Sequence, residues 1–147
     1  MSDSSIRFTA VSPRFVKSCW EKAKPLLEKA SGQSNGRFTV DDIKQQIYLG
    51  QQILWMLYDS DSDEMLVAIT TSIARYPSKR LLNIMFCGAD GEDSYWLDHR
   101  DKIVPELLDW AKLQDCVGIE LSGREGWAKV LGPYGFRKAY VTLEMEF

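Results

Sequence analysis

Residues 80–121, RLLNIMFCGADGEDSYWLDHRDKIVPELLDWAKLQDCVGIEL, decide the fold. Leu81, Leu82, Ile84, Met85 and Phe86 make residues 80–87 an apolar run bounded by polar sequence, a strand. Residues 88–93 form a Gly-containing acidic loop. Ile103, Val104, Leu107, Leu108 and Ala111 then recur at helical spacing within residues 95–114, with an irregularity expected at Pro105. Val117, Ile119 and Leu121 alternate with Gly118 and Glu120, a second strand. A strand, a crossover helix and a strand close right-handedly, so these two strands should lie parallel.

Upstream, Ile6, Phe8 and Ala10 alternate with polar residues as a short strand. Ser12-Pro13 reads as a helix start, and Phe15, Val16, Cys19, Trp20, Ala23, Leu26, Leu27 and Ala30 lie on one helical face. Pro25 should kink or split that helix. Thr39-Val40-Asp41-Asp42 resembles a capping box and opens a second helix running to about Gly50. Residues 53–58 are apolar throughout, a strand buried on both faces. The acidic residues 59–64 form a hairpin tip, without the glycine and distal glutamate of a calcium loop. Residues 65–75 return as a strand, and Tyr76-Pro77-Ser78 turns into the stretch quoted above. Downstream, residues 124–132 read as a short helix ended by Gly132-Pro133. In residues 139–147, Val141, Leu143, Met145 and Phe147 alternate with Tyr140, Thr142, Glu144 and Glu146, a closing strand. The order β-α-α-β-β-β-α-β-α-β implies one α/β (α+β) domain over residues 1–147. Its helices cover both faces of a mixed sheet.

Composition narrows the chemistry. The chain has 147 residues, with 18 Lys plus Arg against 21 Asp plus Glu, a net charge of −3. That balance argues against broad nucleic-acid binding. No apolar run reaches the roughly 18 residues of a membrane span, and the first residues lack a signal peptide's pattern, so a cytoplasmic location is expected. Cys19, Cys87 and Cys116 are an odd set with no C-x-x-C spacing, which argues against a disulfide framework. His99 is the only histidine, which excludes a multi-histidine zinc site and leaves little room for a His-based triad; no metal is expected.

The element order, most clearly over residues 80–147, resembles the GNAT family of N-acetyltransferases. Gly135-Phe136, entering the last strand after a short helix, is similar to the family's C-terminal signature. Gly50-Gln51-Gln52-Ile53-Leu54-Trp55, Gly123-Arg124-Glu125-Gly126-Trp127 and Leu131-Gly132-Pro133-Tyr134-Gly135-Phe136 resemble short GNAT-like proteins of bacteriophages and prophages. The resemblance implies a three-layer α/β/α fold. Its mixed, mostly antiparallel sheet would have about six strands and a splayed parallel pair at its centre.

It also implies acetyl-CoA as cofactor and an amine as acceptor. Backbone atoms of Ile84, Met85 and Phe86 would pair with the pantetheine arm. Gly88 and Gly91 would line the pyrophosphate loop, with Arg124 near the phosphates. The family's loop motif is absent here. Asp90, Glu92 and Asp93 would oppose an incoming anion, and an acid-capped helix is the ordinary alternative. Glu120 is the candidate general base, though pairing with Arg124 would also explain it. Where many family members carry a tyrosine acid, four residues before the Gly-Phe pair, this chain has Leu131. Tyr134 is the candidate substitute acid, ring packing being the commoner use of such a residue. Three readings stay open: an N-acetyltransferase with an atypical cofactor loop, a catalytically inactive interaction or phage-particle module that binds protein partners, and a small-molecule binder. A homo-oligomer is compatible with each. In a phage setting the site of action would be the host cytoplasm or the virion.

Overall fold

The computed structural model of this protein describes residues 5–90, 94–123 and 126–147. Five strands form one sheet in the order β1 (Ile6–Ala10), β2 (Ile53–Asp59), β3 (Met65–Arg75), β4 (Arg80–Ala89) and β5 (Gly118–Leu121). The first four pair antiparallel, and β4 pairs β5 in parallel. Helices α1 (Pro13–Ser31) and α2 (Val40–Tyr48) cover one face, and α3 (Ser94–Leu113) covers the other. The short α4 (Gly126–Leu131) packs on the α3 side and runs into a 3₁₀ turn at Gly132–Tyr134.

The two faces can be read along the strands, because successive side chains point to opposite sides. On β2, Leu54 enters the α1–α2 layer while Trp55 and Leu57 take up positions in the α3 layer. The helices add matching stripes: Val16, Trp20, Ala23 and Leu27 from α1, Ile43 and Ile47 from α2, and Ile103, Val104, Leu107 and Ala111 from α3. The capping box at α2 is formed in both directions. The Asp42 N–H donates to Thr39 Oγ1 at 3.2 Å, and the Thr39 N–H donates to Asp42 Oδ2 at 2.8 Å. The latter bond holds the Asp42 carboxyl below its ordinary range.

Several expectations need correction. Pro25 does not split α1, which runs unbroken; its ring faces solvent, where a missing N–H bond is cheapest. The irregularity of α3 falls at His99, with φ −119° and ψ 15°, upstream of Pro105. Residues 139–147 do not join the sheet. They lie outside it without regular secondary structure, tied to the α1–α2 loop by the 2.7 Å ion pair of Glu144 with Arg37. The parallel pair therefore lies at the edge of a five-stranded sheet, not at the centre of six.

The strand β4 also runs further than its sequence suggests and includes Gly88, which pairs with Ala68 of β3. A Cβ built at Gly88 would lie 1.9 Å from the Leu26 carbonyl oxygen of α1. The glycine lets the helix backbone rest directly on the strand. Gly88→Ala should therefore force α1 off the sheet. The expected loss is about 1–3 kcal/mol, as for overpacking in general, measured by urea unfolding.

Candidate functional site

The site is made by a change of phase in β4. Thr70 of β3 stands opposite Phe86, but Thr71 stands opposite Ile84. Met85 is therefore an extra residue, a β-bulge. Its effect is visible in the packing. Leu82 and Ile84 face the α3 layer, whereas Phe86 faces α1 and α2, and Cys87 and Ala89 return to the α3 layer.

The parallel ladder to β5 stops at the same level. It runs from Leu81 opposite Gly118 to Ile84 opposite Leu121. Beyond that, β4 continues for five residues to Ala89, bonded to β3 on one edge and to no described strand on the other. An unpaired strand edge is a row of backbone donors and acceptors ready for an extended partner. Ile84, Met85 and Phe86 thus stand where the parallel ladder ends, Ile84 as the last paired residue. The Phe86 side chain turns away from the cleft into the α1–α2 layer, edge-on to Phe38 with ring centroids 5.1 Å apart.

Glu120 lies one residue before the end of β5, opposite Asn83. Ile119 and Leu121 pack toward α3, so Glu120 projects from the other face of the sheet. Its Oε1 accepts a 2.5 Å hydrogen bond from the hydroxyl of Tyr76. Tyr76 comes from the turn between β3 and β4, where its N–H donates to the Lys79 carbonyl at 3.0 Å. The hydrogen bond to Glu120 pushes the Tyr76 phenol up to about 12, helped by partial burial and by the nearby carboxylate and Tyr140. Residues 76–78 read as a turn in the sequence, so the partner of Glu120 could not be found there. The contact joins residues 44 apart in sequence.

Tyr134 sits elsewhere. Its hydroxyl donates to Asp101 of α3, and its ring packs against the α3 layer. Leu131, at the position where the family often carries the acid, is buried in that same layer. Trp96 and Trp127 stand between α3 and α4 with ring centroids 5.3 Å apart, and the buried Trp96 indole N–H has no partner among the described residues.

Gly91 and Arg124, with Glu92 and Asp93, lie outside the described residues. Asp90 is described. Its N–H donates to the Leu66 carbonyl at 2.8 Å, and its carboxylate meets Glu64. The hydrogen bond to Asp90 pushes the Glu64 carboxyl above its ordinary range, with burial and the charges of Asp90 and Asp59 adding to it. Acidic character thus accumulates at the end of β4. Burial raises the Cys19 and Cys116 thiols, the opposite of what a nucleophile needs. Among the described residues no group of three His, Cys, Asp or Glu could hold a metal, and no helix is long and apolar enough to cross a membrane.

No protein-family model matches the chain, and no curated protein matches it in sequence. Solved structures do match in fold. A probable acetyltransferase is 14% identical, with a TM-score of 0.70 over 96% of this chain and 99% of its own. Glucosamine-6-phosphate N-acetyltransferase from Arabidopsis thaliana is 15% identical, with a TM-score of 0.67 over 97% and 98%. An aminoglycoside antibiotic 6'-N-acetyltransferase from Acinetobacter baumannii is 12% identical, with a TM-score of 0.70 over 97% of both chains. The chain has the GNAT fold.

The Tyr76–Glu120 bond has a direct spectroscopic readout. Tyr76 should ionise near pH 12, so Tyr76→Phe should remove a step near that pH from the phenolate absorbance titration. Glu120→Gln should move that step down toward pH ~10, because the carboxylate that favours the neutral phenol is gone.

Proposed function

We propose that this GNAT-fold chain is an acetyl-CoA-dependent N-acyltransferase, of the type carried by bacteriophages and prophages and acting in the cytoplasm. The single observation that supports it most is the end of the parallel ladder at Ile84, beyond which β4 runs on to Ala89 with no described strand on its β5 side. Such an edge fits the amide-bearing arm of a CoA thioester, which can hydrogen-bond as a strand does. Acetyl-CoA, when bound, supplies a thioester carbonyl for attack by an amine. Ile84, Met85 and Phe86 bind and orient that arm through their backbone.

Glu120 is the base. It projects at the end of β5, and its carboxylate is held by the Tyr76 hydroxyl. Glu120 would take the proton of an amine that attacks the bound thioester, and water or Tyr134 would give a proton to the departing thiol, so that the amide formed and the thiol released balance. Tyr134 must first release Asp101. The family resemblance gives Gly91 and Arg124 to the phosphates, and Gly88 contributes by bringing the α1 backbone against β4.

The acids at the end of β4 weigh the other way. Asp90 and Glu64 bring negative charge to the side from which a pyrophosphate would come, and Leu131 offers no proton. These two features favour the alternative, a catalytically silent GNAT-fold module that binds other proteins, including those of a phage particle.

Calorimetric titration of acetyl-CoA separates the two. The enzyme reading expects a dissociation constant in the micromolar range, about −8 kcal/mol. Absence of heat at millimolar ligand removes it and leaves the protein-binding module. Given binding, Glu120→Gln should lower kcat for an accepted amine by roughly 10²–10⁴-fold while changing the acetyl-CoA affinity little.

A further inference from the structure

Helix α3 stops one row short of the end of the sheet it covers. On that face, Ile73 of β3, Leu82 of β4 and Ile119 of β5 stand side by side and pack in the α3 layer. The next row on the same face, toward the β3–β4 turn, is Arg75 opposite Arg80. Val117 extends it, its N–H donating to the Arg80 carbonyl at 2.9 Å. The helix ends at Leu113, and Arg80 Nη1 donates to the Gln114 carbonyl just beyond at 3.1 Å. The row is left in solvent. Arg75 and Arg80 are exposed, Val117 is 74% exposed, and Leu113 beside it 75%.

The charge of this row is not balanced from within. Two arginines directly opposite each other in an antiparallel pair repel, which costs stability. Lys79 in the turn and Lys112 in the last turn of α3 add cations. Among the described residues no carboxylate pairs with Arg75, Lys79, Arg80 or Lys112. Burial raises the Cys116 thiol, Arg80 and Arg75 pull it down and Asp115 pushes it up, so both guanidiniums and one acid surround the α3–β5 connection. Arg80 has a use in the fold, at the negative end of α3. The Arg75 and Lys79 side chains make no hydrogen bond among the described residues. A cationic end on a molecule of net charge −3 is a local feature with a sign of its own.

These side chains select the chemistry of a partner. A guanidinium takes a carboxylate through two parallel hydrogen bonds. Val117 and Leu113 offer apolar surface that a bare anion would leave in water. A long polyanion such as a nucleic acid would run on from the row into a molecule of net negative charge. We propose that the uncovered row Arg75–Arg80–Val117, bordered by Leu113 and Lys79, docks an acidic segment of another protein whose apolar side chains sit between its carboxylates. Glu120 projects from the opposite face of the sheet, so the inference does not depend on the chemistry proposed there.

Fluorescence anisotropy with a short labelled peptide of alternating glutamate and leucine tests it on the whole chain. The expected result is saturable binding that weakens with rising salt. Arg75→Glu and Lys79→Glu should each weaken it about tenfold or more. Arg75→Glu should also raise the urea midpoint, because it sets opposite charges across the pair, so its loss of binding cannot come from unfolding. Val117→Ser, or a peptide with serine in place of leucine, should weaken binding as well. Absence of binding at millimolar peptide overturns the proposal. So does binding that both charge substitutions leave unchanged, or that ignores the leucines. A single-stranded oligonucleotide that binds more tightly than the peptide overturns it too, since the row then serves a nucleic acid.

Discussion

One extra residue in β4 governs the rest of the structure. Without the bulge at Met85, Ile84 and Phe86 would face the same layer. With it, the strand changes phase. Phe86 goes to α1 and α2, Gly88 comes against the Leu26 backbone, and the two parallel strands part after Ile84 and Leu121. The irregularity falls at the level where β5, and with it the parallel ladder, ends. Packing on both faces stabilises it, because the residues on either side of Met85 are buried in different layers.

The charges at the cleft are arranged in two groups. At the β5 end, Glu120 is oriented by a phenol and projects from the sheet face that carries α1 and α2. At the far end of β4, Asp90 and Glu64 are close enough to share a hydrogen bond. The first group suits proton abstraction and the second disfavours an incoming anion. This tension bears on catalysis rather than on fold. The fold relationship to acetyltransferases spans nearly the whole chain while sequence identity stays near 14%.

Much of the framework was legible in the sequence because it is local. Thr39 and Asp42 announce the start of α2, and both bonds of the box form. The helical spacing of Ile103, Val104, Leu107 and Ala111 marks the buried stripe of α3. Neither Gly88 nor Tyr76 could be read in this way. Gly88 reads as the start of a loop, and only the approach of α1 makes it a strand residue. Tyr76 reads as part of a turn, and its meeting with Glu120 depends on how that turn lies over β5. Tyr134 illustrates the reverse. Its place in the sequence suggested a proton donor, whereas its hydroxyl is engaged by Asp101 of α3.

The tail marks the boundary between the two kinds of information. Alternation in residues 139–147 determines that they have the pattern of a strand, because side chains two apart share a face in any extended segment. It does not determine a partner, because strand pairing is made by edges distant in sequence. By itself the sequence determined the helices, the first five strands, their order and the parallel relation of β4 and β5, all of which follow from short-range periodicity and the handedness of a crossover. Only the tertiary structure decided where β4 changes phase, where the parallel ladder ends and which edge of the sheet stays open. The apolar run over residues 81–87 is compatible with either phase, and the choice belongs to the helices that pack against it.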